Sequence, residues 1–166
     1  LKENSGKGYA IRQGLKEATG EIVLIQDADL EYSVQDYPKL LEPFLKNKAQ
    51  VVYGSRFLGQ ISGMHWPNFL ANKILTITVN LLYDANITDE ATAYKAFRKE
   101  VIQKIPLKCQ RFEFCPEVTA KIAKRGYRIF EVPIVYHGRD AKAGKKIKFN
   151  DGFEAFWTLI KYRFKD

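Results

Sequence analysis

Asp27-Ala28-Asp29 stands directly after the expected strand Glu21 to Gln26, which contains the apolar run Ile22-Val23-Leu24-Ile25. Carboxylate oxygens are hard donors, and two of them at the carboxyl end of a covered strand can hold Mg²⁺ or Mn²⁺, with Glu31 in position to add a third. Side chains two apart on an extended chain share a face but stand apart along it. Both therefore reach one cation only where the chain turns at Ala28 or a water bridges. A cation held there would neutralise a departing diphosphate. The same Asp-x-Asp spacing also suits the capping of a turn or of the next helix.

Four further stretches carry groups able to do chemistry. Asn4-Ser5-Gly6-Lys7-Gly8 places a lysine at the opening of a helix, where an ammonium and free amides together attract an anion. It lacks the first glycine and the Ser or Thr of a Walker loop, and it reads equally as a glycine-rich turn with a solvated lysine. Gly54-Ser55-Arg56 ends a second apolar run and leads into a glycine-spaced stretch, Gly59 to Gly63, expected to be a loop. Thr88-Asp89, with Thr92, Tyr94 and Lys95 behind it, is either a helix cap or a polar cluster. Gly138-Arg139 and Gly144-Lys145-Lys146 form a basic loop. His65 and His137 show no pairing that makes a nucleophile dyad or a metal site.

These groups need elements to position them. Apolar residues at helical spacing predict a helix over Lys7 to Ala18, stopped by Gly20, and the run after Glu21 is short enough for a strand covered on both faces, as in parallel sheets. Val34 to Asn47 then reads as a helix and Gln50 to Gly54 as a second buried strand. Trp66 to Tyr83 is apolar around most of its circumference, yet Asn72, Lys73 and Asn80 interrupt it, so it is expected to be a core or interfacial helix and not a span. A strand over Thr92 to Phe97 follows, then a short helix over Lys99 to Ile105 and another over Pro116 to Arg125, closed by Gly126. Tyr127 to Tyr136 reads as strand bent at Pro133, and Phe153 to Phe164 as a helix with Phe153, Phe156, Trp157, Ile160 and Phe164 on one face. Helix and strand alternating through short links imply an α/β class.

Composition narrows the function classes. At 166 residues and 46% hydrophobic, the chain is too apolar for a disordered protein and long enough for one core. Two cysteines, Cys109 and Cys115, exclude a disulfide framework and suit a reduced compartment. The net charge is +8, and half of it falls between Arg139 and Asp166, where eight Lys and Arg face four acids. A basic amphipathic end of this kind suits an anionic headgroup, a phosphorylated ligand or nucleic acid. The first residues resemble neither a signal segment nor an apolar leader, and the chain is expected to begin inside a longer one.

Taken in order, eight motifs resemble the family 2 glycosyltransferases of the GT-A fold, in the branch that acts on polyprenyl or dolichyl phosphate. They are Asn4-x-Gly6-Lys7-Gly8, Ala18-Thr19-Gly20-Glu21, Gln26-Asp27-Ala28-Asp29-Leu30-Glu31-Tyr32, Val52-Tyr53-Gly54-Ser55-Arg56-Phe57, Thr88-Asp89 with Ala93-Tyr94-Lys95-Ala96-Phe97, Phe112-Glu113-Phe114 with Glu117, Glu131-Val132-Pro133-Ile134-x-Tyr136, and Gly138-Arg139 with Gly144-Lys145-Lys146-Ile147. The resemblance implies a mixed, mainly parallel sheet flanked by helices. It also implies transfer of a hexose from a nucleotide sugar of the GDP-mannose or UDP-glucose type. Asp27, Asp29 and Glu31 would hold Mg²⁺ or Mn²⁺; Lys7, Asp27, Ala28, Asp29, Arg139 and Lys145 would meet the nucleotide sugar; Arg56 and Lys73 would hold the acceptor phosphate. Asp89 would be a base or an orienting residue, and Arg139 would serve catalysis by stabilising the departing anion. The same resemblance implies a peripheral place on the cytoplasmic face of an anionic membrane, with no nucleic acid partner.

Relatives open with two βα units that bind base and ribose. At about 30 residues per unit, about 60 residues are expected ahead of Leu1. Residues 1–166 are accordingly expected to be a single domain, the C-terminal portion of a GT-A catalytic domain and N-terminally incomplete. Two other readings stand beside this one: an inactive glycosyltransferase-like fragment, and a basic module that binds lipid or nucleic acid without catalysis.

Overall fold

The computed structural model describes residues 3–138 and 149–165. Strands β1 (Ile22–Ile25), β2 (Val51–Ser62), β3 (Lys95–Arg98) and β4 (Ile129–His137) form one sheet in the order β1-β3-β2-β4. β3 pairs antiparallel with β1 on one side and with β2 on the other, while β4 runs parallel to β2. β1, β2 and β4 therefore share one direction and β3 opposes them. The sheet is mixed, as expected, but β1 meets an antiparallel neighbour, and at this edge its Ile22, Val23 and Leu24 are only half-buried.

The helices are α1 (Lys7–Glu17), α2 (Tyr37–Leu45), α3 (Trp66–Tyr83), α4 (Lys99–Ile102), α5 (Phe114–Lys124) and α6 (Phe149–Phe164), with a single 3-10 turn at Val34–Asp36. Side chains alternate across a strand, so the unbroken apolar run of β2 faces two cores. Val51 and Tyr53 pack with Leu75 and Val79 of α3, Val118 and Ile122 of α5 and Leu159 of α6. Val52 packs the other way, with Leu40 and Phe44 of α2 and with Val132 and Ile134 of β4.

β2 corrects one expectation. The stretch Gly59 to Gly63 does not form a loop up to Ser62, because β2 continues and Gln60, Ile61 and Ser62 pair with Val135, Tyr136 and His137. Its register shifts between Ser55, opposite Pro133, and Gln60. Proline has no N–H for the ladder, and a bulge accommodates that gap. Gly59 lies inside the bulge, where a Cβ would stand 1.9 Å from the carbonyl oxygen of Ile134. Its glycine serves close contact of two backbones and not a turn.

Two helices keep apolar stripes in solvent. On α3, Trp66, Leu70, Ile74, Ile77 and Leu81 are exposed, on the side away from the buried Leu75 and Val79. On α6, Ala155, Leu159 and Tyr162 are buried, and the predicted aromatic face divides: Phe153, Trp157 and Phe164 are exposed, Ile160 is half-buried and Phe156 packs against the core. No helix among the described residues is long and apolar enough to cross a membrane.

Candidate active site

The acids sit on the loop that leaves β1, and each is given its own partner. Asp27 Oδ2 accepts from Lys7 Nζ at 2.6 Å. Asp29 Oδ1 accepts from the Glu31 backbone N–H at 3.2 Å, a local turn bond completed by Leu30, whose φ is 62°. Glu31 Oε2 accepts from Tyr136 Oη at 3.0 Å, and the Glu31 carbonyl accepts from the His137 N–H at 2.9 Å. Burial first, and then the charge of Glu31, push the Tyr136 phenol above its ordinary value, so it keeps the proton it donates.

Lys7 is delivered by Gly6, which takes φ 91° and would put a Cβ 2.4 Å from the Gln110 carbonyl oxygen. Burial opposes the Lys7 ammonium, but Cys115, Asp27 and Asp29 outweigh it and its pKa lies above the usual lysine value.

Across the same cavity, of 530 Å³, stands Arg56. Asp89 holds it by three bonds: Arg56 N–H and Nε donate to Oδ2 at 2.9 and 2.7 Å, and Nη2 donates to Oδ1 at 2.7 Å. Asp89 is itself fixed by Glu131 of β4, whose oxygens accept from the N–H groups of Thr88 and Asp89 at 2.7 and 3.0 Å. The Asp89 carboxylate is fully buried and engaged by the guanidinium on both oxygens. That geometry suits a group that orients Arg56. The guanidinium lies 5.8 Å from the Phe57 ring centre, and Lys73 Nζ lies 3.6 Å from the same centre. The predicted pair Arg56 and Lys73 is thus brought together on one aromatic ring.

The fit for a divalent cation is that of a partial shell. Among the described residues no group of three His, Cys, Asp or Glu is arranged to hold a metal ion. Glu31, bonded by Tyr136, lines the cavity together with Asp27, Ala28 and Asp29. Two carboxylates are a set that suits Mg²⁺ or Mn²⁺, which take their remaining ligands from phosphate and water. Arg139 and Lys145 lie outside the described residues.

Three groups at the site have no counterpart among the residues singled out by type and spacing. Glu131 and Tyr136, both on β4, hold the Asp89 turn and Glu31 respectively, and Tyr136 lines the cavity. Glu90, next to Asp89, is the third; like Lys95, already named in that polar stretch and the first residue of β3, it is fully buried. Charged residues in a polar stretch look solvated in sequence, and only the pairing of β3 between two strands puts them inside.

Residues 1–106 match Glycosyl transferase family 2. The chain is 30% identical over 156 residues to a dolichol-phosphate mannosyltransferase of Pyrococcus furiosus, covering 92% of this chain and 43% of that protein. It is 27% identical over 163 residues to a low-salt glycan biosynthesis hexosyltransferase of Haloferax volcanii, covering 96% of this chain and 38% of that one. With a UDP-N-acetylglucosamine–dolichyl-phosphate N-acetylglucosaminyltransferase of Methanococcus voltae it shares 27% identity over 168 residues, covering 96% and 66%. The chain thus spans 38% to 66% of the length of these relatives. In architecture it is similar to glucosyl-3-phosphoglycerate synthase of Mycobacterium tuberculosis, solved with Mn²⁺, uridine diphosphate and phosphoglyceric acid, at a TM-score of 0.69 and 16% identity, covering 96% of this chain and 54% of that one. The fold is the GT-A arrangement anticipated from the motifs.

Proposed function

The chain belongs to glycosyl transferase family 2, and from that premise we propose that it forms a single-domain part of the catalytic unit of an enzyme that moves a hexose from a nucleotide sugar to a polyprenyl or dolichyl phosphate at the cytoplasmic face of a membrane. The observation that carries this reading is one cavity lined by the carboxylates of Asp27 and Asp29 and by the guanidinium of Arg56. Asp27 and Asp29 would hold Mg²⁺ or Mn²⁺, which when bound neutralises charge on the leaving diphosphate. Arg56, already oriented by Asp89, offers a fork suited to an acceptor phosphate, with Lys73 beside it.

In the step itself a lipid phosphate oxygen bonds to the anomeric carbon of the hexose, and the bond from that carbon to the nucleoside diphosphate breaks. The attacking oxygen carries charge and no proton at neutral pH, so no general base is required. Asp89 then serves as a positioning residue for Arg56. Lys7, Arg139 and Lys145 supply positive charge toward the diphosphate, the last two from outside the described residues.

The exposed stripes of α3 and α6 support the membrane part of the reading. Aromatic and aliphatic side chains standing in water beside Lys161 and Arg163 match an interfacial helix on anionic lipid.

The test uses UDP-glucose, UDP-N-acetylglucosamine and GDP-mannose in turn, each with dolichyl phosphate. Transfer of one hexose is expected to stop with EDTA and return with Mn²⁺. Arg56→Lys should lower kcat/KM for dolichyl phosphate about 100-fold, the loss of one bidentate charged contact. Transfer that persists unchanged in EDTA and in Asp29→Asn overturns the metal assignment. Binding to phosphatidylserine vesicles should weaken with salt and with Trp157→Ala, and indifference to both removes the membrane.

A further inference from the structure

Glu90 follows Asp89 in the loop that enters β3, and its carboxylate is withdrawn from solvent at 0% exposure. Neither of its oxygens has a partner at ordinary hydrogen-bond distance among the described residues, although the Thr119 hydroxyl stands near enough to favour its charged form. Its backbone is held firmly all the same. The Glu90 N–H donates to Thr76 Oγ1 at 3.0 Å, and its carbonyl accepts from Lys95 Nζ at 2.6 Å. Lys95 directs its remaining attraction to the face of Tyr53, 3.7 Å away. The side chain that stands next to this ammonium therefore receives no bond from it. Burial, only partly opposed by Lys95, raises the Glu90 carboxyl above its usual value.

An unmatched buried carboxyl is costly, and native structures keep very few. This one belongs to a residue that lines the 530 Å³ cavity. It lines that cavity together with Arg56, proposed for the acceptor phosphate, and with Lys7, Asp27 and Asp29, proposed for the donor diphosphate. A phosphate is excluded as its partner by like charge, and a polyprenyl tail by having no donor. The remaining part of either substrate that belongs between two phosphates is the sugar, which offers several O–H donors.

We propose that Glu90 is a specificity-determining residue, accepting hydrogen bonds from hydroxyls of the transferred hexose. The assignment rests on the glycosyl-transfer reading and names what that site reads. A site with a buried polar group awaiting a hydroxyl rejects a sugar that places its hydroxyl elsewhere, because the mismatch leaves the group unpaired.

The experiment compares wild type with E90Q and E90M in the protein that carries this chain, using UDP-glucose, UDP-N-acetylglucosamine and GDP-mannose with dolichyl phosphate. E90M is expected to melt several degrees higher than wild type, since an unmatched buried group is gone. Its kcat/KM on the preferred donor should fall about 10- to 100-fold, and the preference over the next donor should shrink at least about fivefold, with E90Q between the two. Donor preference unchanged in both variants overturns the proposal. So does a lower melting temperature in E90M, which marks a structural carboxyl. If Arg56→Lys abolishes transfer while the Glu90 variants keep their preference, this assignment fails alone. If wild type transfers none of the three hexoses, the glycosyl-transfer reading fails with it.

Discussion

Glu90 and Glu117 are both fully buried, and each has a lysine nearby whose ammonium sits over a tyrosine ring: Lys95 at 3.7 Å from the centre of Tyr53, Lys121 at 4.1 Å from that of Tyr162. What differs is how the two carboxylates are served. Glu117 accepts from the N–H groups of Lys108 and Cys109 at 2.8 and 2.7 Å and from Lys121 Nζ at 2.5 Å. Lys121 also donates to the Pro106 carbonyl at 2.6 Å, so this cluster closes the turn before α5 and leaves nothing unmatched. Glu90, on the cavity, has no partner at ordinary hydrogen-bond distance among the described residues, with Thr119 and Lys95 near enough only to favour its charged form. Where a buried carboxyl is saturated it holds a loop; where it is left unsatisfied beside a cavity it is available to a ligand. The two glutamates separate scaffold from site within one small sheet domain.

Removing Glu117 should do the most damage. Glu117→Ala strands a lysine with only 1% of its side chain exposed, together with two N–H groups, and should cost about 3–5 kcal/mol in urea unfolding. A loss under about 1 kcal/mol would erase the contrast with Glu90. Asp89→Asn comes next. It keeps the shape but weakens the grip on Arg56, and should cost about 1.5–3 kcal/mol of stability while raising KM for dolichyl phosphate. A pH–rate profile that loses an ionisation in this variant would restore Asp89 as a base. Glu90→Met should move stability the other way, by about 1–3 kcal/mol upward.

Acidity gives the smallest and most diagnostic effect. In the folded chain the Glu117 carboxyl lies below its ordinary 4.5, because Lys121 and the Lys108 N–H outweigh burial. Its contribution is therefore present above pH 4.5 and lost as the pH falls through its folded value. The Glu90 carboxyl lies above 4.5, so whatever stability its neutral form allows is complete below pH 4.5 and lost as the pH rises through its folded value. The gain from Glu90→Met should widen from pH 4.5 toward neutrality, while the loss from Glu117→Ala should shrink on acidification. Unfolding curves that shift in parallel for both variants would break the distinction.

Much of this arrangement was legible in the residues. The apolar runs at Ile22 and Val51, the helix after Gly6 and the stop at Gly126 all follow from periodicity and from glycine placement, and the acid pair was found because it trails a strand. What remained hidden depends on contacts remote in sequence. Gly59 looked like loop because a glycine pressed against another backbone and a glycine in a turn are written alike. β3 begins at Lys95, and nothing in its composition tells that it is inserted antiparallel between β1 and β2, which is what buries Lys95 and Glu90. The apolar residues of α6 surround the helix, so spacing put Phe156 on one face with Phe153, Trp157 and Phe164 and did not say that Phe156 and Leu159 turn to the core while the other three stay in solvent.

The tight crossing at Gly59 reaches further than its own position. A methyl group there would force β4 away from β2, and β4 bears both Glu131, which anchors the Asp89 turn, and Tyr136, which steadies Glu31. A screen for inactive variants should therefore recover Gly59→Ala alongside changes at Asp27 and Arg56, even though residue 59 meets no reactant. Such a hit would mislead anyone mapping the substrate from loss of activity, and a chemical shift map of β4 would reveal its mechanical origin.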